Sequence, residues 1–140
     1  DIGKRNAYIR KGTNWDDVLN NLYKLQTVPW IDVSITQTVS WMNIYYVNEF
    51  KQYFNDMNIK TQTNMVYDPK FYSIDIIPKQ YKEVLVDRLQ NFPELLNHVS
   101  SNENIELFKQ GMEYNKWLDN SRDEKYSMYF KEWAEIIKYD

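Results

Sequence analysis

Residues 31–67 read IDVSITQTVSWMNIYYVNEFKQYFNDMNIKTQTNMVY, and this stretch decides the fold. Ile31, Val33 and Ile35 alternate with Asp32, Ser34 and Thr36. A period of two with β-branched residues predicts a strand. A helix then begins within Ser40–Asn43, and Ile44, Val47, Phe50, Phe54 and Met57 trace its apolar stripe. Lys60–Tyr67 returns to strand character, with Thr61, Thr63, Met65 and Tyr67 on one parity. Strand, helix and strand in this order predict parallel strands joined by a right-handed crossover.

Upstream, Trp15, Val18, Leu19, Leu22 and Leu25 share one face of a helix. Thr13 or Asn14 is placed to cap it, and Asp16 and Asp17 lie where the helix dipole favours negative charge. Pro29 closes the connection to the first strand. Downstream, Asp68-Pro69 marks a turn, and Tyr72, Ile74 and Ile76 alternate as a further short strand or extended segment. Pro78 suits the first turn of a helix whose apolar face is Tyr81, Val84, Leu85 and Leu89.

The character changes after Phe92. Pro93–His98, Asn102–Leu118 and Asp123–Tyr139 read as helices. Ile105, Phe108 and Met112, then Met128, Trp133, Ile136 and Ile137, are expected to face inward. The chain thus divides into a β/α unit over residues 1–92 and a helical extension over residues 93–140. A parallel sheet of so few strands needs its faces and edges covered. The covering must come from the C-terminal helices, from another chain, or from further strands.

Composition narrows the function. The 140 residues are 43% hydrophobic and 16% aromatic, which predicts a packed core. The net charge is −3, so the basic footprint of a nucleic-acid binder is missing. Lys4, Arg5, Arg10 and Lys11 cluster near the start, beside acids, as a solvated face. No apolar run approaches the roughly 20 residues that span a bilayer, so no membrane partner is expected and the cytoplasm is the expected compartment. There is no cysteine, which removes disulfides, thiolate metal sites and cysteine nucleophiles from this chain.

Several stretches carry a family resemblance. The run from Asp1 to Asp16, with Gly3, Arg5, Arg10 and Trp15, resembles a segment of radical S-adenosylmethionine (SAM) enzymes of the SPASM/twitch type. Thr36–Ile44 is similar to the turn from a barrel strand into its helix in those enzymes. Asn64–Pro69, with Ile77-Pro78 downstream, is similar to the next strand and its exit. Leu118-Asp119-Asn120-Ser121-Arg122 resembles a Leu-Asp-x-x-Arg sequence that follows the barrel in phage and metagenomic relatives.

The resemblance implies an α/β fold: a partial (β/α) barrel-like unit with a short, mostly parallel sheet, followed by C-terminal helices. It places Asp1 where a barrel strand ends, so that strands carrying the cluster loop would lie upstream. In the family a [4Fe–4S] cluster held by cysteines cleaves SAM to a radical. Without thiolates this chain cannot hold that cluster in the usual way, so no cofactor is expected in it and no activity by itself. By the same analogy Asp1, Ser34, Thr36 and Asn64 would line the SAM side of the cavity. The implied partner is a second copy, as a homodimer, or a complementary N-terminal half. A non-enzymatic interaction protein that self-associates through its sheet edge is the alternative.

Other chemistry is thinly represented. His98 is the single histidine, with Glu94 one helical turn before it, and reads as an ordinary, partly exposed residue. Neither a phosphate-loop nor a dinucleotide glycine motif occurs. Asp16-Asp17 and Asp123-Glu124 read as dipole partners near helix starts. Trp41, Tyr45, Tyr46, Phe50, Tyr53 and Phe54 read as packing. No catalytic residue and no metal ligand is assigned.

Overall fold

Asn14 accepts a hydrogen bond from the Asp16 amide at 3.0 Å and so starts helix α2, Trp15–Gln26. In the computed structural model, which describes residues 1–139, α2 follows a helix α1, Gly3–Ile9, that the sequence pattern did not signal. The two helices lie against each other. Strand β1, Ser34–Val39, comes next, and a 3-10 turn over Ile44–Tyr46 leads into α3, Val47–Asp56. Strand β2 is Lys60–Met65. A second 3-10 turn, Lys70–Tyr72, precedes α4 (Lys79–Arg88), α5 (Pro93–Ser101), α6 (Ile105–Arg122), α7 (Tyr126–Tyr129) and α8 (Lys131–Ile137).

β1 and β2 form a parallel pair with Ser34 opposite Lys60 and Val39 opposite Met65. The predicted parallel pairing is therefore present, but β1 sits three residues later than the Ile31–Thr36 alternation implied. The reason lies in its partner. Asn58 adopts a left-handed conformation (φ 57°) after α3, and β2 starts only at Lys60. Residues before Ser34 have no strand to pair with.

The segment through Tyr72, Ile74 and Ile76, expected as a short strand or extended segment, forms turns instead. Backbone bonds there turn back locally, Tyr72 N–H to Pro69 O at 2.9 Å and Ser73 N–H to Lys70 O at 3.0 Å. The Ser73 hydroxyl also accepts from the Asp75 amide at 3.2 Å. Ile74, Ile76 and Ile77 are nonetheless buried, so the alternation reported burial and not pairing. The segment is tied to the core where Trp41 N–H donates to Tyr72 O at 3.2 Å.

Among the described residues the molecule is mainly helical with this one short sheet. α3 packs on both strands. The main core joins Val39, Trp41, Ile44, Val47, Ile77, Leu85 and Leu95 to Phe108, Trp133 and Ile137. Helices from both sides of residue 92 therefore share one core. A second cluster gathers Phe50, Phe54 and Ile59, with Trp15, Leu22 and Ile35 at its margin.

The predicted helix over Asp123–Tyr139 is broken into α7 and α8 at Phe130, whose backbone (φ −122°, ψ 47°) is not helical. The break turns Tyr126, Phe130 and Trp133 inward and leaves Met128, expected inside, 77% exposed. Ile105, at the first position of α6, is exposed as well.

Candidate functional site

The strands present two different faces. Ile35, Gln37 and Val39 of β1, with Thr61, Thr63 and Met65 of β2, form the face toward α3. Ser34, Thr36 and Thr38, with Lys60, Gln62 and Asn64, form the other, and all six are exposed. Parallel sheets ordinarily have both faces covered. This one has a bare polar face, and three of the expected cavity residues, Ser34, Thr36 and Asn64, lie on it. Thr36 stands opposite Gln62, and Asn64 opposite Thr38.

Asp1, the fourth expected residue, lies off that face, at the start of the N-terminal helices. Its side chain is fully buried, with Oδ1 accepting from the Ile2 amide at 2.9 Å and from Arg5 Nε at 3.1 Å. Arg5 also pairs with Glu49 of α3 and stacks 4.1 Å from the Tyr46 ring centre. A cavity of about 570 Å³ runs between the N-terminal helices and β1. Asp1 and Thr36 both line it, together with Arg10, Thr38, Ser40 and Asn43. Ser34 and Asn64 are outside that lining. The structure thus brings Asp1 and Thr36 to one cavity and leaves Ser34 and Asn64 on the open face beside it.

The turn after β1 is built by Asn43, which is 2% exposed. Its Oδ1 accepts from the Ser40 amide at 2.9 Å, and its Nδ2 donates to Thr38 O at 3.0 Å. The Ser40 hydroxyl accepts from the Met42 amide at 3.3 Å. This clamp fixes the turn that follows β1. Arg10, read from sequence as part of a solvated basic cluster, contributes the cavity's one cationic side chain. Only its spacing from Trp15 could have pointed to that position.

A second polar cluster is buried among the helices. Asp119 accepts from the Tyr8 hydroxyl at 2.6 Å, from the Tyr139 hydroxyl at 3.1 Å and from the Tyr126 amide at 2.9 Å. Asn115 donates to the Tyr8 and Tyr139 hydroxyls at 2.8 and 2.7 Å. Burial, reinforced by the Asp119 acceptor, holds the Tyr8 phenol well above its ordinary value. Burial does the same to Tyr126 and Tyr139, and pushes Tyr72 up to about 12. The Leu118–Arg122 stretch therefore has a structural part to play: Asp119 satisfies buried donors, and Arg122 reaches Tyr8 O at 3.5 Å.

His98 Nδ1 lies 2.9 Å from Asp75 Oδ1, so its partner is Asp75 and not Glu94. Among the described residues no three acidic or histidine side chains gather as a metal site. Asp16 and Asp17 occupy the first turn of α2 as expected. Asp123 does not sit at a helix start. It takes the left-handed position that ends α6 (φ 52°), while Glu124 pairs with Lys11 at 2.7 Å. Among the described residues no helix is long and apolar enough to cross a membrane.

No family model, curated protein or solved structure matches this chain.

Proposed function

We propose that the chain forms part of the wall of a radical-SAM-type (β/α) barrel, with the bare face of the β1–β2 pair turned toward the barrel interior. In this reading Ser34, Thr36 and Asn64 look into the interior, and Asp1 and Arg10 flank it. The observation that carries it is the two-faced parallel pair: one face packed by α3, the other polar and open, with no further strand beside either member among the described residues. A barrel wall shares this two-sidedness, because helices cover the outer face of its strands and the alternate residues face the interior.

The chain has no cysteine, so the cluster and its radical chemistry belong to the complementary half of the barrel and not to these residues. By itself the chain acts as a scaffold that completes its sheet with strands from that half or from a second copy. The same open edges support the alternative of a non-enzymatic protein that self-associates through them.

Light scattering across the micromolar range tests the shared element, a sheet that seeks neighbours. Concentration-dependent assembly is expected, and charging the open face with Thr36→Lys and Asn64→Lys should reduce it. A strict monomer at high micromolar concentration overturns the reading. Calorimetry with SAM then separates the two versions: heat lost in Thr36→Lys supports the barrel wall, and absence of heat in an assembling protein favours the interaction scaffold.

A further inference from the structure

The cavity between β1 and the N-terminal helices takes residues from both faces of the strand: Ile35 from the face toward α3, and Thr36 and Thr38 from the open one. It therefore runs along the edge of β1 that β2 leaves free. The backbone groups on that edge follow from the pairing. Val39 O accepts from the Val66 amide at 2.9 Å, so Ile35, Gln37 and Val39 turn their N–H and C=O groups toward β2. The alternate residues, Ser34, Thr36 and Thr38, turn theirs outward. Thr38 O is already engaged by Asn43 Nδ2 at 3.0 Å. The N–H and C=O of Thr36, an exposed residue, have no partner among the described residues.

We propose that this edge groove binds an extended segment of another polypeptide as an added strand, with one carboxylate side chain of that segment meeting Arg10. Such a strand completes the sheet that the scaffold reading leaves open, and its chemistry rests on that reading. Main-chain bonds to Thr36, and to the Thr38 N–H, supply affinity, while side chains select the partner. An added strand continues both faces of the sheet. On the α3 side it meets Ile35, Phe50, Phe54 and Leu22, so alternate residues are apolar. On the other side it meets Thr36 and Thr38, so the residues between are polar.

Charge selects the carboxylate. Arg10 is exposed, and no carboxylate among the described residues pairs with it. The Asp1 carboxyl also lines the cavity, but its side chain is fully buried and held by Arg5 at 3.1 Å. An acid on the incoming strand therefore meets an unmatched cation. The same charge argues against a strand from a second copy. Neither Ser34–Val39 nor Lys60–Met65 contains an acid, and the latter would bring Lys60 to the groove.

The test is nitrogen-edited NMR of the whole chain, held below its assembly concentration, with the peptide acetyl-Thr-Val-Glu-Val-Thr-Val-amide. The Thr36 and Thr38 backbone amide signals are expected to move, and the Thr36 amide to exchange with solvent about tenfold more slowly. Replacing the peptide's Glu by Lys, or Arg10→Gln in the chain, should weaken binding by about threefold or more, the scale of an exposed ion pair. N-methylation of every peptide amide removes its donors and should abolish binding. Equal binding of the N-methylated or the Lys peptide, or a Thr36 amide that stays still, overturns the proposal. Movement of Thr36 on raising the chain concentration alone also overturns it and gives the edge to a second copy. A chain that assembles while the peptide leaves Thr36 still loses only the added strand, whereas a strict monomer in light scattering loses the scaffold reading beneath it. The peptide comparisons use the wild-type chain, so they stand even where Arg10→Gln fails to fold.

Discussion

Gly111→Ala is the sharpest test of how α6 packs. Gly111 is buried in mid-helix, and a Cβ built on it would lie 2.3 Å from Phe71 O and 2.9 Å from Trp41 Nε1. Phe71 O is backbone in the 3-10 turn, and it accepts from Trp41 Nε1 at 2.8 Å. An ordinary carbon–oxygen contact is more than 3 Å, so the turn must retreat by about 1 Å and carry the acceptor away from the indole. Overpacking of this kind costs about 1–3 kcal/mol. Loosening the bond to a fully buried indole costs about 1–3 kcal/mol more. Alanine returns about 1 kcal/mol through better helix propensity. The net loss is about 3 kcal/mol. With a urea slope of about 2 kcal/mol per molar, the unfolding midpoint falls by about 1.5 M. Lys109→Ala, on the exposed side of the same helix, is the control and should change little. A Gly111→Ala midpoint equal to or above wild type would refute the close approach of Phe71 to α6.

Asp119→Leu should destabilise the chain by about 3 kcal/mol or more, because the Tyr8 and Tyr139 hydroxyls and the Tyr126 amide lose their common acceptor. Asp119→Asn, which keeps one carbonyl acceptor, should lose less in the same urea titration, and a reversed order would count against the network. In alkali, the raised folded-state values of Tyr8, Tyr46, Tyr72, Tyr126 and Tyr139 mean that ionisation opposes folding. Stability from these groups is complete below about pH 10, where free tyrosine titrates, and is lost as pH rises toward and past about 12. Tyrosinate absorbance should therefore show a class that ionises together with unfolding, and twelve tyrosines titrating independently near pH 10 would contradict this. In acid the sign reverses for Glu132, whose carboxyl is held below its ordinary value first by the Tyr46 hydroxyl at 2.8 Å. Its contribution is present above about pH 4.5 and lost as pH falls below it, and Glu132→Gln should flatten that limb by under about 1 kcal/mol because the group is largely exposed.

The strand–helix–strand order of residues 31–67 was readable because side-chain period and helix stripe are local properties. Phe50 and Phe54 are buried as their spacing required. Register was not local: β1 starts at Ser34 because β2 starts at Lys60, and only pairing reveals that. Tyr72–Ile76 misled for a related reason, since alternation marks alternate burial whether or not a strand lies alongside. At the site, Thr36 and Asn64 were named by the family resemblance alone, and both lie on the open face. The parts played by Asn43, Arg10 and Gln37 depend on what packs against them. Gln37 in particular is buried although it stands between Thr36 and Thr38, which are exposed.

The Asp119 network has a consequence in time. Tyr8 and Asp119 are 111 positions apart in sequence, and Tyr8 and Tyr139 meet only through Asn115 and Asp119. On a ribosome that adds about 5–20 residues per second, α1 waits several seconds before its buried partners exist. During that interval Tyr8 and the β1–β2 pair are exposed together. Contacts of such long range also slow the final search, because the loop must close before they are rewarded. The helix α1 is thus made well before the partners that lock it, and Tyr8 stays without its buried partners until α6 and Tyr139 arrive.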